Sequence, residues 1–314
     1  MLHHIPYMQK LSLVCQALRN KRVVDFISTV LIRNYQYRFA DHYNDVIDLI
    51  ERSLHLLVES QVNKISISGL HKAGRQCNQG IFKTRDRREW FEKSYLDYRS
   101  NLKTRYEYTT IQKYLLPGTV LDFGSGDGYF AEFLTNIGFS VWGTDIRDYR
   151  SPHSVDFNFS LMRTPLDLDS VPAQFDNTIV KSVLHHVDSK YIDQDITLLR
   201  KKTLKRLIIK EEMLSVGENN IHTIDSPNES FMSTYRKLSR EDQLHYLALM
   251  DFFGNYVVQG LFFINLPFNF HALSQWETVL NKHGLSVIDT IPKMFDVEMF
   301  HPGPHVWLIC DVVQ

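Results

Sequence analysis

The chain has 314 residues, 44% of them apolar and 23% charged, enough core-forming material for one large or two ordinary domains, which excludes general disorder. Lysine plus arginine number 35 and aspartate plus glutamate 36, so the net charge of −1 excludes polyanion binding by bulk charge. The three cysteines, Cys15, Cys77 and Cys310, are odd in number and far apart, which excludes a disulfide framework or a zinc pattern and points to a reducing, cytoplasmic setting.

The opening Met-Leu-His-His-Ile-Pro lacks a basic stretch followed by a long apolar run, so no signal peptide is expected. Residues 1–60 read as helical, with Val46, Ile50, Leu54 and Leu57 at three- and four-residue spacing. Asn63 to Leu70 alternates serine with isoleucine and reads as a strand or a loop. Gly69 to Gly80 holds turn formers and polar residues and reads as a boundary. Residues 71–105 carry ten lysines and arginines against four acids, with Trp90, Phe91, Tyr95 and Tyr98 interleaved. Such a stretch can face a nucleic acid, or it can be a solvated helix that tucks its aromatics onto the next domain. The second reading is preferred, because a charge run is usually an exposed face.

Beyond residue 105 strands and helices alternate. Strands are expected at Thr119–Phe123, Ser140–Thr144, Asn177–Leu184, Arg206–Ile209, Leu285–Asp289 and Val306–Val312. Helices are expected at Tyr129–Ile137, Ile192–Lys201 and Trp276–His283, the last stopped by Gly284. This alternation predicts an α/β fold with a parallel sheet covered on both faces. Phe252 to Phe270 is uncharged, but Gly254, Asn255, Gln259, Gly260, Asn265, Pro267 and Asn269 interrupt it. A membrane span needs about 20 mostly apolar residues, so this stretch reads as a buried or substrate-facing segment.

The segment that carries chemistry is Val120-Leu121-Asp122-Phe123-Gly124-Ser125-Gly126-Asp127-Gly128-Tyr129-Phe130, a buried strand running through a glycine-rich turn into a helix. Glycines let a ligand lie close against the backbone, and a helix N-terminus offers free N–H groups. A dinucleotide fingerprint would place a third glycine where Tyr129 stands. Asp122 would repel a pyrophosphate and attract an ammonium group, which favours a nucleoside bearing an amino acid. Asp145, followed by Ile146 and seventeen residues after Gly128, sits at the tip of the next strand, where an acid can accept both ribose hydroxyls.

The ordered set Asp122-x-Gly-x-Gly-x-Gly, Asp145, and a strand opening at Phe175-Asp176 and ending Ser182-Val183-Leu184-His185-His186-Val187 resembles the class I S-adenosylmethionine-dependent methyltransferases. The likeness is to the small-molecule type with a Leu-His-His-Val ending on strand four, and covers roughly residues 95–314. It implies a doubly wound, seven-stranded, mostly parallel sheet. It also implies S-adenosylmethionine as cofactor and a small-molecule acceptor methylated at oxygen or nitrogen. By the resemblance Asp122 lies near the methionine amino group, the turn of Gly124, Ser125, Gly126, Gly128 and Tyr129 lies along the methionine and ribose, and Asp145 with Ile146 serves the nucleoside. Asp167 with Leu168 is matched to the adenine-binding acid, Asp169 being second choice. Lys181 joins the cofactor set, and Arg105 or Arg99 could pair with the methionine carboxylate. The expected organisation is an N-terminal helical region, 1–95, and a cofactor domain, 96–314, with a helical insertion at about 213–270.

Methyl transfer is an in-line displacement that needs alignment and exclusion of water, and for some acceptors a base. His185 and His186, read as ending the fourth strand, and Glu211, with Glu212 read as ending the fifth, are the candidate bases or acceptor clamps. His271, Tyr256 and Asn255 could line a pocket. His222 and His245 match no metal-ligand spacing, so no metal is expected. Two alternatives stand beside the small-molecule enzyme. One is an RNA or protein methyltransferase docking through 71–105. Lys181 and Lys210 suit a ribose-methylating tetrad, but its aspartate is missing. The other is a non-catalytic module that keeps the fold.

Overall fold

The computed structural model describes residues 4–62, 64–150, 157–162, 167–168, 171, 174–214, 229–296 and 302–313. The helices in chain order are α1 His4–Ala17, α2 Lys21–Arg38, α3 Tyr43–Glu59, α4 Ile67–Ile81, α5 Arg85–Asp97, α6 Thr104–Ile111, α7 Tyr129–Asn136, α8 Ile192–Lys202, α9 Glu229–Arg236, α10 Arg240–Phe252 and α11 Leu273–Lys282. The strands are β1 Thr119–Phe123, β2 Ser140–Asp145, β3 Asn158–Leu161, β4 Phe175–Lys181, β5 Thr203–Leu214, β6 His271–Ala272, β7 Leu285–Met294 and β8 Pro304–Val312. The chain divides into two compact units. One holds Met1–Tyr98, Leu214–Phe270 and Met294–Pro304; the other holds Arg99–Met213, His271–Lys293 and His305–Gln314.

The helical unit buries the apolar stripe of α3, Val46, Ile50, Leu54 and Leu57, as its spacing predicts. The stretch expected to be a strand or loop and then a boundary is instead the continuous helix α4. Ser66 caps it by accepting from the Gly69 N–H at 3.0 Å. Leu70, Ala73, Cys77 and Ile81 form its buried stripe. Gly74 marks a close approach and not a turn, since a Cβ there would stand 3.1 Å from the Phe252 ring. Trp90 and Phe91 of α5 pack within the helical unit. Phe91 stacks on Phe39 with ring centroids 5.1 Å apart, and Trp90 stacks on His42 at 4.3 Å. The arginines keep to the solvent side, where Arg85 pairs with Glu89 at 2.7 Å. Phe252, Phe253, Tyr256, Val257 and Val258 are buried, the last four in a π-helical turn. Among the described residues no helix is long and apolar enough to cross a membrane.

The other unit is built on the sheet, ordered β3-β2-β1-β4-β5-β8-β7, with β6 beside β5. The pairs β1–β2, β2–β3, β1–β4 and β4–β5 are parallel, and β8 runs antiparallel to β5. This is a doubly wound, mostly parallel α/β sheet with an antiparallel strand at β8. The chain order reverses between β1 and β4, and in such sheets the crevice for ligands opens at the carboxyl ends of those strands.

Register aligns one core face. Val120 pairs with Val141, Ile179 with Ile208, and Ile208 with Ile309. Ile111 of α6 and Phe130, Ala131 and Leu134 of α7 cover that face. Two expected strands end differently. β4 stops at Lys181, because Ser182 takes a left-handed φ of 52° and Leu184–His186 form a 3-10 turn. β5 runs on through Leu214, so Glu211 and Glu212 lie within it, paired with Val306 and His305.

Asn177 anchors the entry to β1. Its side-chain amide donates to the Leu116 carbonyl at 2.7 Å and its oxygen accepts from the Leu116 N–H at 2.9 Å, with Asn177 itself fully buried and Leu116 half-buried. Replacing it leaves two backbone groups unmatched. Asn177→Ala is therefore expected to cost about 2–4 kcal/mol, read as a lower urea midpoint with an unchanged slope.

Candidate functional site

The site begins where β1 ends. Gly124, Gly126 and Gly128 have φ of 74°, 57° and 80°, a region that an L side chain rarely adopts. At Gly124 sterics add to this, because a Cβ would stand 2.4 Å from Val183 Cγ2. Around Gly126 a Cβ would meet nothing within 4 Å, so this backbone faces open space. The N–H groups of Gly124 and Ser125 both donate to the Thr144 carbonyl, at 2.8 and 2.9 Å, which lashes the turn to β2. Gly128 then opens α7.

Asp145 closes the turn from the other side. Its Oδ2 accepts from the Gly126 N–H at 2.9 Å and its Oδ1 from the Ile146 N–H at 2.7 Å. Burial pushes its carboxyl above the usual value, against those N–H groups. Ile146 beyond it is exposed. Tyr129 and Ser125 are buried, and neither Ser125 Oγ nor Thr144 Oγ1 has a hydrogen-bond partner.

Asp122 is the most unusual group here. It is 0% exposed, and among the described residues neither carboxylate oxygen has a hydrogen-bond partner. Burial pushes its carboxyl up to about 6; Lys181 opposes this, while Glu107, Asp127 and Asp145 reinforce it. An acid so placed lacks a cation, which is what a ligand ammonium would supply.

Lys181 does not lie open to a ligand. Its ammonium is 3.1 Å from Glu107 Oε2 and 3.4 Å from the Phe130 ring centroid. The other oxygen of buried Glu107 takes buried Lys210 at 2.9 Å. Half-buried Lys103 stands nearby. Desolvation pushes its ammonium down to about 7 against the pull of Glu107. Sequence reasoning passed over Glu107 and Lys103. The signal for Glu107 was its place at helical spacing with Ile111 on the buried stripe of α6. Of the two arginine candidates, Arg99 reaches the turn, 2.5 Å from Asp127. Arg105 is exposed and bonded to Asn101 one helical turn away, so it is not brought to the site.

A second cluster gathers beyond the end of β4, along β5 and at the start of β8. Glu211 Oε1 accepts from the N–H groups of Val183 at 2.9 Å and Leu184 at 2.7 Å, fixing the 3-10 turn. Its Oε2 lies 2.6 Å from His185 Nδ1. Glu212 Oε2 is 3.2 Å from the same nitrogen, and its Oε1 is 2.9 Å from His305 Nε2. Burial alone would raise Glu212, but His185 and His305 hold it well below the usual carboxylate range. His185 and Glu211 are thus buried and bound to one another, while half-buried His186 touches the His185 ring at 4.1 Å between centroids. His305 joined this group only through the pairing of β8 with β5. Donor atoms of His185, Glu211 and Glu212 lie within 4.8 Å of one another, close enough to bridge a cation, yet their mutual bonds already account for them.

Asp167 is half-buried and Leu168 buried, but no described contact brings them to the turn; residues 163–166, 169–170 and 172–173, including Asp169, lie outside the described residues. So does His222. His245 is buried, and burial lowers its imidazole. Tyr256 is buried in the π-helical turn of the helical unit, beside Asn255, and His271 opens β6.

No family model matches the chain, and no curated protein matches it. Solved structures do. Magnesium protoporphyrin IX methyltransferase from Synechocystis PCC 6803, solved with S-adenosylhomocysteine, is 17% identical over 68% of this chain and 83% of its own, with a TM-score of 0.42. The 1,6-didemethyltoxoflavin-N1-methyltransferase of Burkholderia thailandensis is 12% identical over 72% and 87%, at 0.44. The N,N-8-amino-8-demethyl-D-riboflavin dimethyltransferase of Streptomyces davawensis is 12% identical over 84% and 69%, at 0.47. The fold rests on the strand order and register above.

The raised carboxyl of Asp122 has a consequence for stability. A group whose folded pKa lies above its unfolded value costs nothing below pH 4 and its full penalty above about 6. Asp122→Asn is therefore expected to stabilise the ligand-free protein at pH 7.5 by up to about 3 kcal/mol, with the gain gone at pH 4. Urea midpoints of both proteins at the two pH values check this.

Proposed function

We propose that the protein is an S-adenosylmethionine-dependent methyltransferase that acts on an oxygen or nitrogen of a small molecule. One observation carries the reading: a fully buried acid, Asp122, without a hydrogen-bond partner beneath a left-handed glycine turn. A pyrophosphate would be repelled there; an amino-acid ammonium would find the charge it needs. Asp145, already aligned by the Gly126 and Ile146 N–H groups, has the position to hold ribose hydroxyls. Exposed Ile146 offers an apolar surface to the base, and we assign Asp167 and Leu168 to its far edge. Arg99, on the turn through Asp127, is the cation we assign to the amino-acid carboxylate in preference to Arg105.

When bound, S-adenosylmethionine supplies a methyl group activated by the sulfonium charge. The chain's own task is to align an acceptor and to keep water out. His186, the less buried of the two histidines, is the side chain we assign to the acceptor, where an imidazole can take a proton near neutral pH. His185 and Glu211 act behind it as positioning residues, since their polar atoms are engaged with each other and with the 3-10 turn. The RNA reading draws no specific support from α5, whose aromatics are packed and whose Arg85 and Arg87 are bonded within the unit.

The test is direct binding. S-adenosylhomocysteine at millimolar concentration is expected to raise the melting temperature, and Asp145→Ala to weaken calorimetric affinity at least tenfold, about 1.4 kcal/mol. No thermal shift at that concentration would leave only a non-catalytic α/β module. In a screen of acceptors with labelled methyl donor, His186→Gln is expected to lower turnover and remove the acid limb of the pH–rate profile, with cofactor affinity unchanged.

A further inference from the structure

The register places Asp122 in a row of charges on the sheet face covered by α6 and α7. Asp122 pairs with Gly143 and with Ile179. Two residues onward on those strands stand Asp145 and Lys181, on the same face because side chains alternate. Lys181 pairs with Lys210, and Lys210 with Trp307. Adjacent strands about 4.8 Å apart, rising about 3.3 Å per residue, put the α-carbons of Asp122 and Lys181 roughly 8 Å apart. A lysine can cross that distance, yet this ammonium is turned to Glu107 and the Phe130 ring instead. Lys181 therefore acts on Asp122 through its field and not by a bond.

The remaining charges facing this row are committed. Lys210 is bound to Glu107, and Arg99 to Asp127. Lys103 lies among Glu107, Arg99, Lys210 and Lys181, and Asp145 is held by backbone N–H groups. Glu107 is thus the anchor that keeps Lys181 near Asp122 without letting the two pair. Were they paired, a ligand ammonium would meet a neutralised acid.

We propose that Lys181, held by Glu107, is the positioning residue that lets Asp122 give up a proton when a ligand ammonium arrives, so that cofactor binding expels a proton from Asp122. The proposal rests on the reading of the glycine turn as the S-adenosylmethionine site. The step balances: the O–H bond of the Asp122 carboxylic acid breaks, its electron pair stays on the carboxylate, which then faces the ligand ammonium, and the proton leaves to buffer. The buried, unbonded state of both Asp122 oxygens keeps the neutral acid populated up to about pH 6, in keeping with its raised carboxyl, so the proton is expelled at and below that pH.

S-adenosylhomocysteine titrated into the full chain at pH 6, in two buffers of different ionisation enthalpy, reads the proton directly. About half a proton per ligand is expected, with affinity rising about tenfold from pH 5 to pH 7. Asp122→Asn is expected to remove the proton release. Lys181→Gln removes a cation and should move the midpoint of the pH dependence up. Glu107→Gln removes an anion beside the lysines and should move it down, and Lys181→Arg should restore the wild-type midpoint. A merely structural role would weaken binding at every pH without shifting midpoints in opposite directions. Wild-type binding with no proton release and flat affinity overturns this proposal and leaves the cofactor reading standing. Absence of binding at every pH overturns both.

Discussion

A carboxylate withdrawn from water without a hydrogen bond is tolerated only if it is protonated or if a cation comes to it. Asp122 is held in that condition by the sheet itself. It is the last core-facing position of β1, flanked by β2 and β4, and among the described residues no donor satisfies it. The surroundings follow from this constraint. The left-handed turn beyond it keeps the backbone open, Asp145 ties that turn down, and Glu107 holds two lysines close while their charges are answered elsewhere. Burial of Asp122 without a partner costs stability above about pH 6, the kind of strain that accumulates at binding sites.

The two faces of the sheet end in different chemistry because β5 runs past its neighbours. On the α6/α7 face, Ile208, Lys210 and Glu212 follow one another at two-residue spacing, so apolar core passes into charge within one step. Glu211 points the opposite way, where it caps the N–H groups of Val183 and Leu184 and fixes His185. Glu212 nevertheless reaches the same His185 nitrogen at 3.2 Å, so the two acids meet in one cluster. The left-handed Ser182 turns β4 aside so that the histidines are presented on a 3-10 turn next to Glu211, not in line with the strand.

Much of this was legible in the residues because its causes are local. Val120 to Phe123 is apolar and short, and Gly124, Gly126 and Gly128 announce positive φ, so strand, turn and helix could be read in order. Asp145 lay at the tip of the next strand for the same reason. Other elements misled where tertiary contact set the meaning of a local signal. Gly74 reads as a turn residue until Phe252 is seen against it. Val183 and Leu184 look like strand until the left-handed Ser182 ends β4 before them. Glu107 and His305 carried almost no signal, because a glutamate in an amphipathic helix and a histidine after two prolines are ordinary until the strands they meet are known.

By itself the sequence determined the α/β alternation, the glycine turn with its two acids, and the candidate histidines, since periodicity and backbone sterics act within a few residues. Only the tertiary structure decided which charges meet. Lys181, Lys210 and Glu107 are joined by strand register and helix placement over separations of 74 and 103 residues, and Arg99 reaches the turn where Arg105 does not. Electrostatic interaction depends on distance and desolvation in space, and neither is encoded by neighbours along the chain.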